Sequence, residues 1–138
     1  MTLKNLYNIL NKNIISCKNL KKHNYLLKNY VDLDWKKYVK INDKTYNRQI
    51  YKKNDLFEIV IITWKNNQST KIHGHPENGC LFKVLQGNID EIIYTDEINY
   101  NNYKINDVNY IDDTIGKHQM INKDLISVSL HIYSPPFE

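Results

Sequence analysis

The chain has 138 residues, 41% hydrophobic and 12% aromatic, which is sufficient for one folded domain with its own core. The net charge of +4 comes from scattered lysines, and this distribution argues against the clustered basic face of a nucleic-acid-binding protein. The longest apolar run, residues 59–62, is too short to cross a bilayer, and the first residues do not resemble a signal peptide. Two cysteines exclude a disulfide framework. We therefore expect a monomeric, cytoplasmic domain that binds neither nucleic acid nor membrane.

Residues 3–30 carry apolar side chains at helical spacing, for example Leu3, Leu6 and Leu10 on one face. Asp34 is a candidate cap for a short further helix over residues 35–39. We predict that residues 1–40 form a helical cap on one side of a sheet.

From residue 46 onward the apolar pattern changes to a period of two, which is typical of strands. The predicted strands are 46–52, 56–64, 69–75, 79–86, 89–95, 97–105, 107–111, 116–122 and 125–134. Many short strands after helices predict a mainly β single domain, either a sandwich or a small barrel, with the helices packed on one side.

The stretch 71–88, K-I-H-G-H-P-E-N-G-C-L-F-K-V-L-Q-G-N, is predicted to form a β-hairpin. His73 and His75 are two residues apart, so on a strand both imidazoles project from the same face. Cys80 begins the return strand, after a turn that contains proline and glycine. These residues form a candidate metal site, although a bare His-x-His is more often a pair of surface histidines.

Arg48 is the only arginine among 19 basic residues. Lysine suffices for solubility, so a lone arginine indicates a place where a planar guanidinium is needed, usually to bind a carboxylate through two hydrogen bonds. The alternative is an ordinary structural ion pair.

The last predicted strand alternates apolar and polar residues. Ser129, His131 and Tyr133 share one face with Ser127, while Val128, Leu130 and Ile132 form the other. The polar face either lies in water at a sheet edge or lines a ligand pocket inside a small barrel.

The motifs above resemble a known family. His73-x-His75, Cys80 and Gly87 have the spacing of the first cupin motif, with Cys80 where many cupins carry a metal-binding glutamate, and His118 resembles the histidine of the second motif. Together with Y-N-R at 46–48, D-D-T-I-G-K-H at 112–118 and V-S-L-H-I-Y-S-P-P-F at 128–137, the chain resembles cysteine dioxygenase, in the thiol dioxygenase branch of the cupins. The resemblance implies a jelly-roll-like cupin β-barrel over residues 46–137 that carries the active site.

The family resemblance implies a role for each matching residue. His73, His75 and His118 are expected to bind Fe(2+), and Arg48, with Tyr46 beside it, to bind the substrate carboxylate. The expected reaction adds both atoms of O2 to the sulfur of L-cysteine and gives cysteine sulfinic acid.

The resemblance also assigns residues around the expected metal. Cys80 and Tyr133 match the pair that forms a Cys–Tyr thioether, and Ser129 and His131 match a hydrogen-bonded relay that orients the Tyr133 hydroxyl. Trp64 is expected to pack near the site. The Ser134–Pro135 bond matches a peptide bond that is cis in the family.

Two alternatives remain open at this point. The first is a dioxygenase for another small thiol such as 3-mercaptopropionate; cysteamine fits less well, because it has no carboxylate for Arg48. The second is a non-catalytic, truncated metal-binding cupin. It is suggested by the family's usual continuation beyond the S-P-P-F segment, which is expected to help close the pocket, whereas this sequence stops at Glu138.

Overall fold

The computed structural model of the protein describes residues 1–137, which form a helical layer followed by two β-sheets. The helices are α1 (Leu3–Asn13) and α2 (Asn24–Asn29), with 3-10 helices at Leu20–His23 and Asp34–Tyr38. The strands are β1 (Asn47–Lys53), β2 (Glu58–Lys65), β3 (Cys80–Gln86), β4 (Asn88–Tyr94), β5 (Ile98–Lys104), β6 (Val108–Ile111), β7 (Lys117–Ile121) and β8 (Ile126–Tyr133). Among these residues, no helix has the length and apolar content needed to cross a membrane.

The strands are arranged in two antiparallel sheets, which confirms the mainly β prediction. One sheet has five strands in the order β1-β2-β8-β3-β6, and the other has three in the order β5-β4-β7. No continuous ladder joins the sheets within residues 1–137, so the expected jelly-roll-like barrel consists of two facing sheets that are not closed by hydrogen bonds. The chain passes between the sheets through turns such as Gly87, which has a positive φ of 71°.

The central strands β2 and β8 of the five-stranded sheet are buried on both faces, and their alternating side chains enter two different clusters. Ile59 and Ile61 of β2, with Leu130 and Ile132 of β8, pack with the helices in one apolar cluster. The intervening residues lie in a second cluster with side chains of the three-stranded sheet; they include Val60, Ile62, Trp64, Phe82 and Tyr133. The polar face predicted for the last strand is therefore buried between the two sheets.

The helical layer is shorter and more broken than the sequence predicted. Thr2 caps α1, since its hydroxyl accepts a hydrogen bond from the Asn5 amide at 3.1 Å. Asp34 is not the cap of its own helix: its carboxylate accepts hydrogen bonds from the Leu3 amide at 2.8 Å and from the Tyr30 hydroxyl at 2.5 Å. The prediction was wrong on this point, because Asp34 supplies the missing acceptor at the start of α1, 31 residues away.

The predicted strand 69–75 does not form, and the predicted hairpin with β3 is also wrong. This segment makes only two isolated bridges, Ser69 to Ile121 and His73 to His118. Its partner is therefore β7 of the smaller sheet, and Gly74 and Pro76 flank His75 in a stretch without regular strand geometry.

Candidate metal centre

Three histidines meet where the 69–75 segment lies beside β7. His73 and His118 exchange two backbone hydrogen bonds, each with an N–O distance of 3.0 Å, which brings their side chains together. His75 follows two residues later, and one ring nitrogen from each of the three residues lies within 4.8 Å of the others. The structure therefore brings together the three residues expected to bind the metal.

Each imidazole also contacts an oxygen through its other nitrogen. The Nδ1 atom of His73 lies 2.7 Å from the Lys71 carbonyl, that of His118 lies 2.7 Å from Glu91 Oε2, and that of His75 lies 3.3 Å from Asp113 Oδ1. A carbonyl or carboxylate oxygen only accepts, so these contacts favour a proton on Nδ1 in each ring. The Nε2 lone pairs are then free to bind a metal ion.

The arrangement of the Nε2 atoms fits a bound cation. The Nε2 atoms of His73 and His118 are 3.0 Å apart, and two lone pairs at this distance repel each other unless a cation lies between them. The Nε2 atom of His75 is buried and has no hydrogen-bond partner among the described residues. Burial lowers the pKa of His75 to about 4 and also lowers that of His73, so both rings are neutral and can bind a metal at pH 7.

Glu91 supports His118 from β4, and the sequence interpretation missed it. Its carboxylate also accepts a hydrogen bond from the Tyr103 hydroxyl at 2.7 Å. Burial alone would raise the pKa of Glu91. The hydrogen bonds from His118 and Tyr103 have a larger combined effect in the opposite direction, so the pKa is lowered overall. A signal was present in the sequence, because Glu91 occupies the same strand face as Ile89 and Ile93.

A cavity of about 320 Å³ opens beside His73, one of the three histidines. Its walls include the predicted substrate residues Arg48 and Tyr46, together with His73, His131 and Tyr133. The Tyr46 ring packs against Trp64 with a centroid distance of 4.9 Å. The cavity wall therefore contains both predicted substrate residues and one predicted metal ligand, His73, whose ring lies beside those of His75 and His118.

A chain of buried hydrogen bonds crosses the floor of this cavity. Trp64 Nε1 donates to Ser129 Oγ at 2.9 Å, Ser129 Oγ lies 2.7 Å from His131 Nε2, and the Tyr133 hydroxyl lies 3.3 Å from His131 Nδ1. Burial lowers the pKa of His131 to about 3, so its ring is neutral at pH 7. Trp64 thus does more than pack near the site, because it fixes the Ser129 hydroxyl at the end of the chain.

Cys80 and Tyr133 face each other across β3 and β8. They are direct partners in the strand register, and both side chains belong to the cluster between the sheets. Opposite residues of antiparallel strands have Cβ atoms about 4.5–5.5 Å apart, so the two side chains are close neighbours. Just beyond Tyr133, the Ser134–Pro135 peptide bond is cis, as the resemblance implied.

Comparison with known proteins identifies the family. The family model described as cysteine dioxygenase type I matches residues 1–138. The chain belongs to this family. The cysteine dioxygenase type 1 proteins of Bos taurus and Homo sapiens are each 32% identical to it over 117 residues, and that of Danio rerio is 31% identical over 118 residues. Each match covers 76% of this chain but only 58–59% of the relative.

Solved structures with low sequence identity share the fold. A cupin from Desulfovibrio desulfuricans matches with a TM-score of 0.57 and 22% identity, over 72% of this chain and 91% of its own. A Thermus thermophilus protein matches with a TM-score of 0.65 and 13% identity, over 77% and 98% of the two chains. These likenesses confirm the cupin fold.

Arg48 also takes part in an ion pair within the protein. The Arg48 guanidinium contacts the carboxylate of Glu58, which is fully buried on β2. The structural ion pair that was the alternative for Arg48 therefore exists, and Arg48 lines the cavity as well. Glu58 shares its strand face with Val60 and Ile62, and a carboxylate on an apolar face is a signal of burial that the sequence interpretation missed.

We predict that Glu91→Gln weakens metal binding by about tenfold, the lower end of the 10–100-fold range for residues that support a metal ligand. Glutamine keeps an acceptor for His118 Nδ1 but removes the negative charge that makes the imidazole a stronger ligand. The dissociation constant for Fe(2+) or Zn(2+), measured by competition with a chelator, checks this.

The control is Asp90→Asn, one residue earlier, where the side chain contacts Asn102 at 2.6 Å rather than a histidine. Equal metal affinity in the wild type and in Glu91→Gln would show that Glu91 does not support the metal.

Proposed function

We propose that this chain is an Fe(2+)-dependent dioxygenase that adds both atoms of O2 to the sulfur of L-cysteine and gives cysteine sulfinic acid. The observation that carries this proposal is the convergence of three imidazole Nε2 atoms beside the cavity that contains Arg48. Membership of the cysteine dioxygenase type I family supports the same reaction.

His73, His75 and His118 are the proposed iron ligands. All three are uncharged as ligands, so a bound Fe(2+) keeps its full positive charge, which suits a negatively charged thiolate. An Fe(2+) ion held by these residues would supply coordination positions at which the thiolate and O2 could be held together. Glu91 and Asp113 contact the outward nitrogens of His118 and His75 and keep these rings in their binding orientation.

Arg48 and Tyr46 are the proposed residues for the substrate carboxylate. The Arg48 side chain is 29% exposed, so part of its guanidinium is accessible to a ligand in the cavity. The face of the Tyr133 ring lies 5.2 Å from the guanidinium carbon, which limits the orientations that Arg48 adopts. A cavity of about 320 Å³ accommodates a molecule as small as cysteine.

Tyr133 is the proposed donor of a hydrogen bond to the reacting oxygen atoms. Burial raises the pKa of its hydroxyl well above the ordinary value, so the proton remains on the oxygen at neutral pH. His131 and Ser129 hold this hydroxyl in place through the hydrogen bonds described above. Their role is to orient the Tyr133 proton towards the cavity.

A thioether between Cys80 and Tyr133 is part of the proposal. It requires a bond from Cys80 Sγ to a carbon of the Tyr133 ring, with loss of the thiol hydrogen and one ring hydrogen. Two electrons are removed, and O2 is their acceptor. The register of β3 and β8 supports this bond, because it places the two residues directly opposite each other.

Oxygen uptake by the iron-loaded protein tests the proposed reaction. With L-cysteine we expect O2 consumption and a product heavier than cysteine by two oxygen atoms, identified by mass spectrometry. The same measurement with 3-mercaptopropionate and cysteamine decides between L-cysteine and another thiol. No uptake with any of these thiols, despite bound iron, would leave the non-catalytic metal-binding cupin as the explanation.

The thioether gives a second prediction that does not depend on steady-state activity. After incubation with iron, O2 and L-cysteine, we expect a protein species that is lighter by two hydrogen atoms in a denatured intact-mass spectrum. Cys80→Ser abolishes this species, because the sulfur is missing. Cys17→Ser is the matched control and retains it, since Cys17 lies in the helical region. A two-hydrogen loss that persists in Cys80→Ser would contradict the assignment.

A further inference from the structure

Glu58 is the ion-pair partner of Arg48 on the neighbouring strand β2. Glu58 is fully buried and does not line the cavity, whereas Arg48 contributes to its wall. Their contact joins Glu58 Oε1 to the Nη2 atom of Arg48. Oε2 of Glu58 is buried without a hydrogen-bond partner among residues 1–137. Arg48 is thus the counter-charge of this carboxylate, and Glu58 itself is not part of the cavity wall.

The Arg48–Glu58 ion pair changes the electrostatic field that acts on a substrate carboxylate in the cavity. Arginine is always charged in proteins, so alone it would present a full positive charge to the ligand. The negative charge of Glu58 in direct contact cancels much of this field, and the two groups then act as a dipole rather than as a single charge. The remaining guanidinium N–H groups still donate hydrogen bonds, but the long-range attraction for an anion is weaker.

We propose that Glu58 determines substrate range by reducing the preference of the Arg48 site for thiols that carry a carboxylate. This inference rests on the proposed function, since it concerns the same cavity and the same class of substrate. Small thiols with and without a carboxylate then bind with more similar affinities than a free arginine would allow. Glu58 acts through Arg48 and is a positioning and charge-setting residue rather than a catalytic one.

Two substitutions distinguish the effect of the negative charge of Glu58 from the effect of its hydrogen bond to Arg48. Glu58→Gln keeps an oxygen acceptor for the guanidinium and removes the negative charge. Glu58→Ala removes both the charge and the acceptor. If the charge matters, glutamine strengthens the binding of carboxylates; if the hold on Arg48 matters more, both substitutions weaken it.

The test is anaerobic calorimetry on the Fe(2+)-loaded protein with L-cysteine and cysteamine, which differ only in the carboxylate. In Glu58→Gln we expect the dissociation constant of L-cysteine to fall roughly three- to tenfold, as one nearby charge in a partly solvated site would give. The constant for cysteamine should not fall. An equal change for both thiols, or weaker binding of L-cysteine, overturns the inference.

Two control variants show whether the effect passes through Arg48. In an Arg48→Ala background, adding Glu58→Gln should no longer change the ratio of the two dissociation constants. Asp43→Asn removes the acid of the exposed Lys65–Asp43 ion pair and should leave the ratio at its wild-type value. A shift of similar size in either control would contradict a specific effect of Glu58.

The inference can also be tested on the wild-type protein alone, so this test does not depend on whether a variant folds. A hydrogen bond between a ligand carboxylate and an arginine that has no acidic partner increases the affinity by a factor of roughly ten to a hundred and fifty. We expect wild-type L-cysteine to bind less than about tenfold more tightly than cysteamine, below that range. A larger preference, or no binding of either thiol, contradicts the inference. Binding is measured without O2, so a shifted ratio without turnover would reject only the proposed reaction.

Discussion

The orientation of three imidazole rings is the constraint on which the rest of the site depends. A histidine binds a metal only through an unprotonated nitrogen that points at the ion, and each ring here has an oxygen beside its Nδ1 atom. These oxygens come from the 69–75 segment, from β4 and from the turn before β7. The small three-stranded sheet therefore matters because it brings His118 and its supporting carboxylate together.

The larger sheet buries the polar side chains that lie beneath the cavity. Its outer face packs against the helices with apolar side chains, and its inner face carries Ser129, His131 and Tyr133. A buried polar group costs free energy unless it has a hydrogen-bond partner, and the chain from Trp64 to Tyr133 supplies such partners. The fold thus places a polar floor under the cavity without exposing it to water from the helical side.

Sequence patterns predicted most of what depends on alternation along a strand. All eight strands and the polar face of β8 follow from period-two patterns. The three histidines, Arg48 and Tyr46 were selected from spacing and from the family resemblance. The 69–75 segment was misassigned because its pattern suits a strand, while its partner is β7 and its contacts are isolated bridges. The pairing of this segment with β7, more than 40 residues later, cannot be predicted from a local window of sequence.

The residues whose partners sequence reasoning did not identify are carboxylates that contact other elements of the fold. Glu91 supports a histidine 27 positions later, and Asp34 completes the start of a helix 31 positions earlier. Glu58 is only ten positions from Arg48, yet nothing in the sequence says that the two side chains meet. Charge on an apolar strand face marks such residues as buried, but their partners come from the tertiary fold.

Two kinds of polar group meet at this site. Three imidazole rings converge where the 69–75 segment lies beside β7, and the charge of Arg48 on the cavity wall is opposed by Glu58.

X-ray absorption spectroscopy of the Fe(2+)-loaded protein, recorded without O2 before and after addition of L-cysteine, tests the central claim most directly. We predict a coordination shell of nitrogen and oxygen atoms alone before addition, with one sulfur in the shell afterwards. An iron shell that gains no sulfur would contradict the claim that the three histidines form a thiol-binding metal centre.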